Sequence, residues 1–152
     1  MIRALVDTNV LVDFLARREP FYPSSRRLMI FAAMGDYELW MSSSQVTDLY
    51  YILTNGGRKD GAESCKAAMR GLRRVVRVAA PGEREVDAAL DSPWSDFEDA
   101  FVCQTAIGIR AQAIITRNLE DFAQALLPVF DVDSFFEWMR RTHHVSYEEL
   151  GY

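Results

Sequence analysis

Hydrophobic periodicity changes abruptly at Asp7. The run before it, Ile2 to Val6, is short and apolar apart from Arg3, whereas Val10, Leu11, Phe14 and Leu15 beyond it recur at helical spacing. A strand-length run that gives way to a 3.6-residue period at a carboxylate reads as a strand feeding directly into a helix. The switch recurs. Tyr37 to Met41 alternates as a second strand. Ser42, Ser43 and Ser44 then supply caps for a helix carrying Val46, Leu49, Tyr50 and Leu53, which ends at Gly56 and Gly57. Val75 to Ala79 reads as a β-branched third strand and Ala113 to Ile115 as a buried fourth. A last short strand is expected near Val129.

The segments between complete the pattern. Pro20 and Pro23 break the first helix, and Pro23 suits the first turn of the next, which carries Leu28, Met29, Phe31 and Ala32 to a turn at Gly35. Further helices are expected from about Gly61 to Leu72, through Val86 and Leu90 up to Pro93, and over Phe135 to Arg140. Ser95 and Glu98 read as a capping box for a helix from Asp96 to about Ile109. Strands alternating with helices predict an α/β fold. Its mostly parallel sheet of four to five strands is flanked by helices on both faces, giving three layers with right-handed crossovers.

A chain of 152 residues fits one domain, expected over 1–141, with a polar tail over 142–152 that is loosely held. Apolar residues make up 49% of the sequence, enough to offset ordering entropy without disulfides. Cys65 and Cys103 lack zinc-motif spacing and read as free thiols of a reducing compartment. Arg3 before an apolar stretch superficially resembles a signal peptide, but Asp7 and Asp13 fall inside what would be its hydrophobic region. No apolar run approaches the ~20 residues of a membrane helix. A cytoplasmic location is expected. A net charge of −5 argues against binding nucleic acid by phosphate neutralisation alone, so an RNA partner would need cations in the site and a local basic face.

The acids carry the functional reading. In an open α/β sheet, ligands bind beyond the carboxyl ends of the strands, and Asp7 follows the first strand while Asn118 and Asp121 follow the fourth. Asp96 and Asp99 share one face at the start of a helix, and Asp48 sits on an otherwise apolar helix, where burial without a partner is costly. Carboxylates gathered at neutral pH repel one another unless a cation neutralises them. Oxygen-only donors suit Mg²⁺ or Mn²⁺, which points to metal-assisted hydrolysis of a phosphodiester. The only histidines are His143 and His144, so no histidine base or histidine-rich metal site is available in the core. No G-x-G-x-x-G or Walker A segment follows a strand.

Four stretches in this order resemble the PIN-domain superfamily, which includes the toxin ribonucleases of bacterial and archaeal toxin–antitoxin pairs. They are Leu5-Val6-Asp7-Thr8-Asn9-Val10-Leu11, Gln45-Val46-Thr47-Asp48-Leu49-Tyr50-Tyr51, Asp96-Phe97-Glu98-Asp99-Ala100 and Thr116-Arg117-Asn118-Leu119-Glu120-Asp121-Phe122. The resemblance runs from Ile2 to about Met139 and includes the Arg18-Glu19-Pro20-Phe21 loop of one branch. It implies an acidic pocket holding one or two divalent ions, Mg²⁺ or Mn²⁺, that cleaves RNA. It also implies a homodimer and a cognate antitoxin protein as partner. Asp7, Asp48 and Asp99 match the family's acids, with Asp96 as an accessory metal ligand. Asp48 stands where the wider family usually carries glutamate, and its shorter reach favours a water-mediated contact. Asn118 occupies a position where many relatives carry aspartate, which leaves Asp121 as the nearest acid able to serve. Thr8, Asn9, Thr116, Asn118 and Arg117 match supporting or phosphate-orienting positions.

Glu98 is assigned to the capping box and left outside the site. The cluster Arg70, Arg73, Arg74 and Arg77 reads as a solvated face, with Arg17, Arg18 and Arg117 ranked above it for phosphate contact. Tyr50, Tyr51 and the tryptophans read as core or dimer surface. Two rival functions remain. One is a degenerate PIN domain that binds RNA or a protein without cutting. The other is a haloacid-dehalogenase-type phosphatase, which would need an aspartate at Asn9 and a core lysine, whereas the only lysines are Lys59 and Lys66.

Overall fold

The computed structural model describes residues 1–145 and 147. Five strands form one sheet: β1 (Arg3–Val6), β2 (Glu38–Ser42), β3 (Val76–Ala79), β4 (Ala113–Ile115) and β5 (Val129–Phe130). Their order is β3-β2-β1-β4-β5, and every neighbouring pair is parallel. Parallel strands must be joined by long crossovers, and helices supply most of them. These are α1 (Thr8–Leu15), α2 (Tyr22–Met34), α3 (Ser43–Leu53), α4 (Ala62–Leu72), α5 (Glu83–Asp91) and α6 (Phe97–Gly108), while α7 (Val132–His143) follows the last strand. The expected three-layer α/β architecture is present, with five strands.

The two-residue period of the strands divides the core. Ala4 and Val6 of β1, with Ala113 and Ile115 of β4, point to one face, where Leu11, Leu28, Leu49, Phe135 and Met139 of the helices pack on them. Leu5 and Ile114 point the other way, against Val102, Cys103 and Ala106 of α6 and against Phe122. α5 lies on α6. β1 has a neighbour on each side and helices on both faces, so Ala4, Leu5 and Val6 are wholly buried. That explains a continuous apolar run where a half-buried strand would alternate.

Several helix starts are set by side chains that satisfy the free N–H groups of the first turn. Ser42 caps α3 in a capping box whose return bond comes from Gln45. The box expected between Ser95 and Glu98 does not form. Asp96 is the cap instead, accepting from the Asp99 N–H at 3.0 Å, because its carboxylate makes the charge-assisted bond one residue further along. Glu98 is thereby released from capping. α7 begins at Val132, earlier than expected, because Asp131 accepts from the Ser134 N–H at 2.8 Å. It also runs further, to His143, and the ring of Tyr147 packs on Phe31 and Phe136, so this part of the tail is held against the core. The expected tail lies outside the described residues at 146 and 148–152. Among the described residues no helix is long and apolar enough to cross a membrane.

Ile114 joins β1 to β5 and fills the α6 face with no exposed surface. Ile114→Ala should cost about 2–5 kcal/mol, the usual range for such a core truncation. Urea unfolding should show a lower midpoint with an unchanged slope.

Candidate active site

The strand order reverses between β1 and β4: from β1 the sheet grows towards β2 and β3 on one side and towards β4 and β5 on the other. The crevice outside the carboxyl ends of such a strand pair is where open α/β sheets bind ligands. Asp7 leaves β1 at this point, and its backbone N–H donates to the Ile115 carbonyl at 2.8 Å, which holds it in register with the end of β4. Its side chain is also the N-cap of α1: Oδ1 accepts from the Thr8 N–H at 2.8 Å.

The other carboxylate oxygen of Asp7 is held by Thr116, a fully buried residue immediately after β4. The Thr116 hydroxyl accepts from the Asn118 N–H at 3.0 Å and from the Asn9 side-chain amide at 3.4 Å. Its one proton is left to donate to Asp7 Oδ2, at 2.8 Å. Burial raises the Asp7 pKa and is the largest influence. The hydrogen bonds from Thr116 and Thr8 oppose it, Asp121 adds to it, and Arg117 opposes it, with a net rise.

Gln45 fixes the same corner from the α3 side and was not foreseen as part of it. Wholly buried, it accepts from the Ser42 N–H at 2.7 Å and donates to the Val6 carbonyl at 2.8 Å and to Thr8 Oγ1 at 3.2 Å. The Ser-x-x-Gln spacing that marks a capping box was the available signal.

The remaining acids arrive from separate segments. Asp96 and Asp99 at the start of α6, with Glu120 and Asp121 of the 3₁₀ turn Leu119–Phe122, line a cavity of about 360 Å³ walled on one side by Trp94. Asp99 is pushed up to about 7, first by burial and then by Asp96, Asp7, Asp121 and Glu98, all in the same direction. Glu98 is also raised, by burial and then by Asp48, Asp96 and Asp7. Asp7, Asp48, Asp96, Asp99 and Asp121 therefore share one electrostatic field. Glu98, assigned to a helix cap on sequence grounds, belongs to it as well. Among the described residues, no three acidic, histidine or cysteine side chains come close enough together to grip one ion directly.

The basic residues divide. Arg117 is not a free phosphate contact. Its guanidinium makes a two-pronged ion pair with Asp13, at 2.6 and 3.3 Å, and lies over the Phe21 ring at 4.2 Å. Its backbone N–H donates to Asn9 Oδ1 at 3.3 Å. Asp13, 1% exposed, is the second residue that sequence reasoning missed. Its i, i+4 spacing from Asn9 was the signal. Asn118 contributes its backbone N–H. Arg70 and Arg73 flank an apolar groove between α3 and α4, and Arg77 pairs with Glu38, so that cluster lies apart from the acids. Lys66 is in the same groove and Lys59 in a separate 3₁₀ turn, neither suited to a phosphatase site at Asp7.

Comparison with known proteins agrees with this fold. A family model described as PIN domain matches residues 3–120. Ribonuclease VapC1 of Aquifex aeolicus (strain VF5) is 23% identical over 142 residues, spanning 89% of this chain and 94% of the relative. Among solved structures, VapBC2 from Rickettsia felis, bound to a DNA fragment from its promoter, superposes with a TM-score of 0.65 at 14% identity, over 86% of this chain and 98% of that one. VapBC-1 from nontypeable Haemophilus influenzae gives 0.63 at 19% identity, over 87% and 99%.

The Asp99 shift has a consequence for stability. Its folded pKa lies above that of an ordinary aspartate, so the folded state binds more protons than the unfolded state between that ordinary value and about 7. Stability should therefore fall as pH rises through this window in metal-free buffer. Melting temperatures followed across it should show a shallower decline for Asp99→Asn than for the wild-type chain.

Proposed function

The chain belongs to the PIN-domain family, and from that premise we propose that it is a metal-dependent endoribonuclease and the toxin of a toxin–antitoxin pair. The observation that carries the reading is a set of carboxylates gathered at the β1–β4 crevice, where burial and then the neighbouring negative charges raise the pKa of Glu98 and Asp99. Such a set suits a divalent cation. Its donors are all oxygen, and Mg²⁺ or Mn²⁺ keeps most of its waters and needs only one or two direct carboxylates, so a closed protein cage is not required. Asp7 and Asp99 would hold one or two ions, with Asp48, Asp96 and Asp121 acting directly or through water. Glu98 reaches the same field from beside Asp48 and offers the longer side chain that Asp48 lacks. A bound ion would lower the pKa of a coordinated water and stabilise charge on the phosphoryl oxygens.

The chain's own groups prepare the site. Thr116 and the Thr8 N–H donate to Asp7, which favours its ionised form and fixes its direction against the cost of burial. The negative field repels RNA while uncompensated, so metal loading and substrate binding are coupled. RNA as substrate accords with the ribonuclease relative. An antitoxin partner accords with the VapBC complexes among the structural relatives. A homodimer and a cytoplasmic location complete the proposal.

Purified protein with Mn²⁺ or Mg²⁺ should cleave RNA, and Asp7→Asn should lower kcat by a factor on the order of 10²–10³, equivalent to several kcal/mol of charge stabilisation. Metal should also raise the melting temperature of the wild-type chain more than that of Asp7→Asn. Intact RNA in the presence of bound metal would support a binding module instead of an enzyme.

A further inference from the structure

We propose that Asp13 is a positioning residue for this site, acting through its ion pair with Arg117, and that Arg117 serves as the clamp of the catalytic loop in place of a phosphate ligand. The inference rests on the nuclease reading. Residues 116–118 leave β4 at the crevice and must present Thr116 to Asp7. Their conformation is held by two side chains of α1 spaced i, i+4. Asn9 receives the Arg117 N–H at 3.3 Å, and Asp13 receives the guanidinium at 2.6 and 3.3 Å. The Phe21 ring lies against the guanidinium at 4.2 Å.

The burial of the two partners is unequal, and this argues for a positioning role. Asp13 is almost completely enclosed, at 1% side-chain exposure, whereas Arg117 retains 29%. A buried carboxylate must keep its partner, so Arg117 is committed to Asp13 and is not free to swing onto a phosphate. The planar two-pronged bond also fixes orientation, which a single charge would not. The chain of contacts then runs from Asp13 to Arg117, through the backbone to Thr116, and from the Thr116 hydroxyl to Asp7 Oδ2 at 2.8 Å. The 3₁₀ turn that carries Asp121 begins just after this loop, so the same clamp sets the far wall of the acidic cavity.

The test is Asp13→Asn, read two ways. Amide hydrogen exchange at Arg117 and Asn118 should quicken by about tenfold or more while Leu5 and Ile114 are unaffected, the signature of local opening. RNA cleavage should lose about 10–100-fold in kcat with KM nearly unchanged, the usual cost of removing an orienting partner. Arg117→Lys, which keeps the charge but loses the fork, should lose kcat similarly. Combined with Thr116→Val, Asp13→Asn should cost less than the sum of the two single effects. If Asp13→Asn destabilises the fold, Asp13→Leu with Arg117→Met removes both charges together and permits the same measurements. Unchanged exchange at the two amides, additive effects with Thr116→Val, or a raised KM in Arg117→Gln at constant kcat would overturn the positioning role. RNA left uncut by the wild-type chain would overturn the nuclease reading and the catalytic role of the clamp with it, even if exchange shows the loop loosened.

Discussion

The hydrogen bond from Thr116 to Asp7 bridges the two strands between which the sheet changes direction, and the candidate site is organised around it. β1 and β4 are 109 residues apart in register, as Ala4 faces Ala113 across a span of chain that holds β2, β3 and the intervening helices. Only parallel pairing brings the carboxyl ends of both strands to the same edge, where Asp7 and Thr116 emerge side by side. Two further bonds to the Thr116 hydroxyl determine where its proton goes, so Asp7 meets a fixed donor. Burial opposes charge on Asp7 and the donors favour it, which is a common arrangement where a carboxylate must stay reactive inside a protein.

Around that bond the site has two electrostatic halves. On one side, burial and the surrounding acids of α3, α6 and the 3₁₀ turn raise Glu98 and push Asp99 up to about 7. On the other, the Arg117 guanidinium is committed to Asp13. The concentration of uncompensated negative charge in one half would let a chain of net charge −5 act on a polyanion only through a bound cation. A divalent cation bound there would invert the local field. The burial of Asp13 leaves the neutralising charge of Arg117 facing inward, where it steadies the loop.

Several particulars divide cleanly between sequence and structure. The strand–helix alternation and the positions of Asp7 and Asp99 were legible because they depend on local periodicity and on short-range capping. Glu98 was misassigned for a local reason as well: Ser95 and Asp96 are both competent caps, and the choice between them depends on which carboxylate or hydroxyl meets the helix dipole in the folded chain. Gln45 and Asp13 were passed over because a buried polar residue is recognisable only by what encloses it. Gln45 spans from the α3 cap to the end of β1, and Asp13 reaches a loop more than a hundred residues away.

The sequence by itself determined the class of fold, the edge of the sheet at which acids would collect and the oxygen-rich chemistry they could support, since each follows from periods and residue types that act over a few positions. Tertiary structure alone decided which acids share a field, which arginine is spent on an internal partner and which hydroxyl aims at Asp7. Those outcomes depend on distances between segments remote in the chain, and electrostatic and hydrogen-bond energies change steeply over the few ångströms that packing sets.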